Sequence, residues 1–321
     1  MTTANAIIAM ERGHYRLREQ IGGSAYGHVW RASGPHGAGE VAVKLINRQQ
    51  MECAQPLQRE RWTGSAAGEI AFLQSLAPWD GRHIVRLLDS GWHQGLPVLA
   101  LELMSTDLAK HLAALHDAAQ SLPVERALDW LGQINQALAK VHQYGWRYLD
   151  LKPANVLVDR LHHTVKLADF GTNRLLGGAR EHSYAGTANW QAPEQFFPTG
   201  GAYTSSARSD YFSLGALFYF LVTNGQALRF CSACGQAYRT HHTAGADVLR
   251  RAHGGAIPAT LHADEEARFA AGLPPPARAP AVALLRALLQ IDPALRPRHA
   301  LQISRMLAAV AQACAIPALA A

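Results

Sequence analysis

The chain has 321 residues, 49% of them hydrophobic and 17% charged, too apolar for an intrinsically disordered protein and long enough for one large domain or two lobes. Its net charge of +6 comes from 25 arginines and 5 lysines that are scattered along the chain, with no basic run interleaved with aromatics, which argues against a nucleic-acid partner. No stretch reaches the ~18 uninterrupted apolar residues of a membrane span. The four cysteines, at 53, 231, 234 and 314, are too few and too uneven for a disulfide framework. A cytoplasmic protein with neither membrane nor nucleic-acid partners is the expectation.

In chain order, strand-like runs fall at 15–21, 28–32, 40–46 and 97–101, separated by Gly, Pro and Ser. One helix interrupts them at 61–76, where Ala66, Ile70, Leu73 and Leu76 recur at helical spacing. From Thr106 helices dominate. Leu108, Leu112 and Leu115 mark one, and Ala127, Leu131, Ile134, Leu138 and Val141 mark a longer one behind Pro123. A short β pair is predicted at 156–158 and 165–168, with later helices at 205–222, 281–290 and 299–314. Regularity fails over 224–280, which holds Gly, His and the run Pro274-Pro275-Pro276, so a specialised insert is expected at about 225–280. The fold class is α+β: a small antiparallel β-rich lobe at 14–102 with one main helix, then a larger, mostly helical lobe at 103–314.

Four constellations carry chemistry. Ile21-Gly22-Gly23-Ser24-Ala25-Tyr26-Gly27-His28-Val29 places glycines between two strands, where backbone amides can approach phosphate oxygens. Val41-Ala42-Val43-Lys44 is a strand of small apolar residues ending at a lysine. Glu60 and Glu69 compete as its carboxylate partner; Glu69 is preferred because Leu73 and Leu76 follow it at the spacing that buries a helix face. Tyr148-Leu149-Asp150-Leu151-Lys152-Pro153-Ala154-Asn155 and Asp169-Phe170-Gly171 bring two carboxylates and an amide, the hard oxygen ligands that Mg²⁺ takes alongside phosphates.

In this order, and with Ala192-Pro193-Glu194 downstream, the motifs resemble the catalytic domain of eukaryotic-type (Hanks-type) serine/threonine protein kinases. The resemblance spans 15–309, and the alanine and arginine richness suggests a bacterial source. It implies a single bilobal protein-kinase-like domain over 1–321, using ATP and Mg²⁺, with Mn²⁺ as a substitute metal, to phosphorylate a protein serine or threonine. Lys44 would bind the α- and β-phosphates and pair with Glu69, while Asp169 and Asn155 would hold the metal. Asp150 would orient the acceptor hydroxyl and take its proton, and Lys152 would stabilise the transferred phosphoryl. Ile21, Gly22, Gly23, Ser24, Gly27, Val29, Ala42, Leu101, Glu102 and Met104 would enclose the nucleotide. Asp210 would hold the catalytic loop, and Arg296 would pair with Glu194. Lysine at both Lys44 and Lys152, in a chain that otherwise chooses arginine, points to a compact ammonium as a chemical requirement.

Three features depart from the family. Ser24 replaces a loop glycine, and Leu149 replaces the arginine before the catalytic aspartate, leaving no cation there for a phosphate on the activation segment to engage. Activity independent of activation-segment phosphorylation is therefore expected, with a pseudokinase scaffold or nucleotide-binding switch as the alternative. The third is Cys231-Ser232-Ala233-Cys234-Gly235 in the insert, which has the form of half a zinc knuckle, His241 and His242 being the nearest further ligands. Structural zinc, two unliganded thiols and a redox pair all remain open for it.

Overall fold

A computed structural model describes residues 4–23, 27–37, 39–177, 181–182 and 186–315. Ser24 of the glycine-rich loop, and Ser183 and Tyr184 of the activation segment, lie outside the described residues. The chain divides into two units, one of Met1–Ser105 with Leu167–Asn173, the other of Thr106–Lys166 with Arg174–Ala321.

The first unit is built on a six-stranded antiparallel sheet: β1 (Ile7–Met10), β2 (Gly13–Gly23), β3 (Gly27–Ser33), β4 (Glu40–Ile46), β5 (Leu87–His93) and β6 (Leu96–Glu102), in the order β1-β2-β3-β4-β6-β5. The period of two along each strand sorts its residues between faces. Val41, Val43 and Leu45 join Ile8, Tyr15, Leu17, Trp30, Ala32, Val98 and Ala100 in one apolar core. Each large apolar side chain so buried contributes about 1.5–3 kcal/mol. The alternate residues Ala42 and Lys44 take the opposite face, with Leu101 and Leu99 directly across from them on β6.

Strands β1 and β5 are not among the predicted ones. In β5 the pattern is masked by Asp89, buried at 4% exposure because its carboxylate accepts from Arg12 N, Tyr15 Oη and Ser90 N. After a short helix α1 (Arg48–Cys53), α2 (Pro56–Ser75) begins five residues before its predicted start. Its early residues Arg59 and Glu60 are exposed, so no apolar stripe announces its first turns. Its inner face carries Phe72 and Leu73, and the Phe72 ring meets Phe170 with centroids 4.7 Å apart.

The second unit starts with β7 (Thr106–Asp107) and α3 (Leu108–Asp117), which Asp107 caps by accepting from Lys110 N. In α4 (Val124–Gln143) the buried residues Ala127, Leu131, Ile134, Leu138 and Val141 form one helical stripe. Then come β8 (Trp146–Arg147), β9 (Val156–Asp159), β10 (Thr164–Leu167), β11 (Arg174–Leu175), β12 (Glu181–His182), α5 (Pro193–Phe196), β13 (Tyr203–Thr204) and α6 (Ala207–Val222). The pairs β8/β11 and β12/β13 are both antiparallel.

The irregular stretch expected at 224–280 is corrected to helices. It holds α7 (Arg229–His241), α8 (Gly245–Ala252), α9 (Ala263–Ala271) and the start of α10 (Pro275–Leu288), and α11 (Ala300–Ala315) follows. The proline run starts a helix instead of breaking one: Pro274 is the N-cap, and a proline at the first helical positions gives up only an N–H that has no partner there. In α7 the buried stripe is Phe230, Cys231, Cys234 and Ala237, mostly small or sulfur-bearing, which hides its periodicity. Glu265 in the first turn of α9, buried at 1% exposure, accepts from Arg229 N at 2.7 Å and so ties the start of α7 to α9.

Candidate active site

In the first unit, the face of β4 opposite the apolar core presents Lys44. Its Nζ lies 2.6 Å from Glu69 Oε2 and 2.8 Å from Asp169 Oδ1, while Glu60, two and a half turns earlier on α2, is exposed. Glu69 also accepts from the amide of Phe170 at 3.2 Å, so one buried carboxylate fixes both the lysine and the backbone beside Asp169. Burial alone would weaken the lysine's hold on its proton, but Asp169 and Glu69 outweigh it and raise the Lys44 pKa above the ordinary lysine value. Burial pushes the Glu69 carboxyl up, opposed by Lys44. Asp169 has a left-handed backbone, φ 59°, rare for a non-glycine residue, and its half-exposed carboxylate is a hard oxygen donor of the kind Mg²⁺ takes.

Val29 and Leu99 flank Lys44 on the neighbouring strands, and Ala42 is paired with Leu101. This gives the lysine an apolar surround of small and branched side chains on its own face of the sheet. Glu102 turns its carboxylate to Arg86 N at 2.8 Å, so its side chain is committed within the sheet edge, and Met104 follows it outside the strand. At the β2/β3 hairpin a cavity of about 470 Å³ is lined by Gln20, Ile21, Gly22, Gly23 and His28. Gly27 is required by close approach: a Cβ there would stand 2.8 Å from the Leu45 carbonyl oxygen.

In the second unit, the turn after β8 gathers the other set. Asp150 Oδ1 accepts from Thr187 Oγ1 at 2.7 Å, and its Oδ2 accepts from Lys152 Nζ at 2.7 Å and Asn155 Nδ2 at 2.9 Å. Lys152 Nζ also donates to Thr187 Oγ1 at 2.7 Å, which closes a ring of carboxylate, ammonium and hydroxyl. Asn155 uses its NH₂ twice, on the Asp150 carboxylate and on the Asp150 carbonyl, an orientation that leaves its amide oxygen as a donor suited to a hard cation.

The loop bearing Asp150 is held from below. Asp210 of α6, fully buried, accepts from the amides of Tyr148 at 2.9 Å and Leu149 at 2.6 Å and contacts His142 Nε2 at 2.8 Å. Those bonds stabilise Leu149 in a left-handed backbone, φ 68°. Further back, Arg296 grips Glu194 with two parallel bonds of 2.8 Å, while its guanidinium lies over the Phe212 ring.

The profile described as protein kinase domain matches residues 15–307. The chain belongs to the protein kinase family. The β-rich first unit and the helical second unit are the two lobes of its fold, and the family uses ATP and Mg²⁺. Similar proteins include cyclin-dependent kinase B2-2 of Arabidopsis thaliana, 32% identical over 225 residues, 68% of this chain and 67% of that protein. Cyclin-dependent kinase B2-1 of Oryza sativa subsp. japonica is 30% identical over 217 residues, 65% of this chain and 63% of its own. Cyclin-dependent kinase 20 of Danio rerio is 29% identical over 213 residues, 65% of this chain and 57% of its own. This kinase is a protein serine/threonine kinase.

The zinc expectation for the kinase is corrected. Cys231 and Cys234 sit in the buried stripe of α7, not in a knuckle, and His241 and His242 are exposed at and beyond the end of that helix. Among the described residues no group of histidine, cysteine or carboxylate side chains is arranged to hold a metal. Burial pushes the Cys231 thiol up to about 12 and Cys234 well above its usual value, which favours the neutral thiol at both.

Arg147 is a residue that sequence reasoning passed over. It is buried at 1% exposure and donates to the carbonyls of Leu175 and Ser205 and to Ser205 Oγ. The available signal was an arginine inside Gly145-Trp146-Arg147-Tyr148-Leu149, an otherwise apolar run leading into Asp150.

Proposed function

We propose that this kinase transfers the γ-phosphoryl of ATP to a protein serine or threonine without phosphorylation of its activation segment and without a second chain to close the Lys44–Glu69 pair. The observation that carries this is Lys44 Nζ held between Glu69 and Asp169 at 2.6 and 2.8 Å in the single chain. In protein kinases that pair must be in place for turnover, and it is what helix positioning and activation-segment phosphorylation control. The relatives named above are all cyclin-dependent kinases; in this chain the residues of the first unit alone supply both carboxylates that face Lys44.

The roles follow from the two sets of side chains. The Lys44 ammonium binds the α- and β-phosphates, and Glu69 keeps it extended toward them. Asp169 and the amide oxygen of Asn155 would hold Mg²⁺, which would supply positive charge against the phosphate oxygens. Asp150 receives the acceptor's hydrogen bond and then its proton as the oxygen attacks. Lys152 places a positive charge beside that carboxylate, and Asn155 fixes the carboxylate's rotation. Leu149 leaves no cation at the position before Asp150 for a phosphate on the activation segment to dock on.

The test replaces Thr172, Ser183 and Tyr184 with Ala, Ala and Phe together and measures phosphate transfer by the purified single chain, beside Asp150→Ala and Asp169→Ala. Turnover of the triple variant within about twofold of the parent is expected, with both aspartate variants inactive. Loss of most turnover in the triple variant, its melting temperature unchanged, overturns phosphorylation independence. ATP binding without any transfer by the parent chain makes it a nucleotide-binding scaffold instead.

A further inference from the structure

Beyond Arg229, the hairpin of α7 and α8 carries arginines with no carboxylate paired to them among the described residues. Arg229 at its start is paired with Asp264, but the remaining arginines have neutral partners or none among the described residues. Arg239 Nη2 donates to the side-chain amide of Gln236 at 2.8 Å. The Arg250 guanidinium lies over the Phe197 ring, 5.4 Å from its centroid, and Arg251 is exposed. His241 and His242 are exposed as well, and Asp247, on α8, is the only acid in the two helices.

Gly235, one turn before Arg239, is pressed against the chain that follows Thr187. A Cβ at Gly235 would stand 2.8 Å from Asn189 Cβ and 3.5 Å from Arg239 Nη1. The guanidinium therefore folds back along α7 toward Asn189, two residues beyond the hydroxyl that bonds Asp150 and Lys152. An acceptor whose hydroxyl reaches Asp150 has its flanking residues close to Thr187 and Asn189. A guanidinium bonded only to a neutral amide retains donors for a carboxylate.

We propose that Arg239 is a specificity-determining residue and that this kinase selects protein acceptors carrying an acidic side chain beside the phosphorylated serine or threonine. The proposal rests on the protein kinase reading above and adds the chemical class of the substrate. It also gives the +6 net charge of the chain a local use.

Three peptides with one central serine, flanked by Glu, Ala or Lys at the same positions, are compared by kcat/KM with the parent, Arg239→Ala and Arg239→Glu; melting temperatures report the fold of each variant. The parent is expected to favour the Glu peptide over the Lys peptide by roughly fivefold or more, with the ratio falling as salt rises. Arg239→Ala lowers that ratio, and Arg239→Glu inverts it. Equal use of the Glu and Lys peptides by the parent, or the same ratio in Arg239→Glu, overturns the proposal while leaving the kinase reading intact. No transfer to any peptide, with no phosphorylation of the chain itself, overturns both.

Discussion

Arg147 donates from Nη2 to the main-chain carbonyl of Leu175 at 2.6 Å, across the same two strands that the β8/β11 backbone pairing joins. Its Nη1 reaches the Ser205 carbonyl at 2.8 Å, so one guanidinium ties the end of β11 to the residue after β13. Arg147→Leu would leave these buried acceptors without their donor. It is expected to lower stability by about 2–4 kcal/mol in urea unfolding, with Arg147→Lys recovering part of the loss. A leucine variant as stable as the parent would show that the arginine does not hold these strands together.

For Lys44, activity and alkaline stability give two measurements. Lys44→Met removes the ammonium that faces Glu69 and Asp169, and turnover is expected to fall by roughly 10²–10³. The raised pKa sets the sign of the pH effect. The folded value lies above the unfolded one, so the lysine's contribution is complete below the ordinary value of 10.5 and is lost as the pH climbs through the folded value. The melting temperature of the parent relative to the double variant Lys44→Met/Glu69→Leu, which carries neither charge, should be level from about pH 7 to about pH 9 and should fall in stronger alkali. A difference that declines through neutral pH would contradict this assignment.

The Glu194–Arg296 pair is a case where removing one partner costs far more than the pair itself contributes. Arg296 is 2% exposed and also donates to the carbonyls of Gln290, Ile291 and Arg208. Arg296→Met strands the Glu194 carboxylate and three carbonyls, with an expected loss of about 3–5 kcal/mol. Glu194→Gln keeps an acceptor opposite the guanidinium and should cost less. Equal losses from the two variants would show that the charge on Glu194 is immaterial.

Thiol accessibility tests the corrected view of α7. At pH 8 a colorimetric disulfide reagent should react with exposed Cys53 in the folded kinase, whereas Cys231 and Cys234 should react only after denaturation. A chelator should change neither result. Release of Cys231 and Cys234 by chelation alone would restore the metal reading.

Strand β4 was legible because its two faces meet different neighbours: Val41, Val43 and Leu45 must be apolar for the core, and a lysine between such residues stands out. The stripe of α4 was legible for the same reason, since Leu131, Ile134 and Leu138 are all large. β5 was hidden by Asp89, a polar residue made tolerable only by three donors, two of them distant in sequence. In α10 the end was legible at 281–288, where Leu284, Leu285 and Leu288 are large, but α7 and α8 were hidden because their inner faces lean on Cys, Ala and Gly, and the start of α10 because a proline run reads as a break although here it occupies a helix start. In the site, the motif residues could be named from their order, but Arg147 could not, because its partners are main-chain carbonyls, which no sequence pattern reports.

The grouping of Leu167–Asn173 with the first unit has a consequence for cutting the chain. Leu167 exchanges backbone bonds with His83 and Val85, the Phe170 ring packs tilted against Phe72, and Asp169 supplies one of the two carboxylates on Lys44. A fragment ending at Ser105 would expose the Phe72 ring and leave Lys44 with Glu69 alone. Adding the heptapeptide 167–173 in trans would supply these partners. No single scission yields two self-sufficient pieces, so split-protein and domain-exchange designs on this scaffold need two junctions around that heptapeptide.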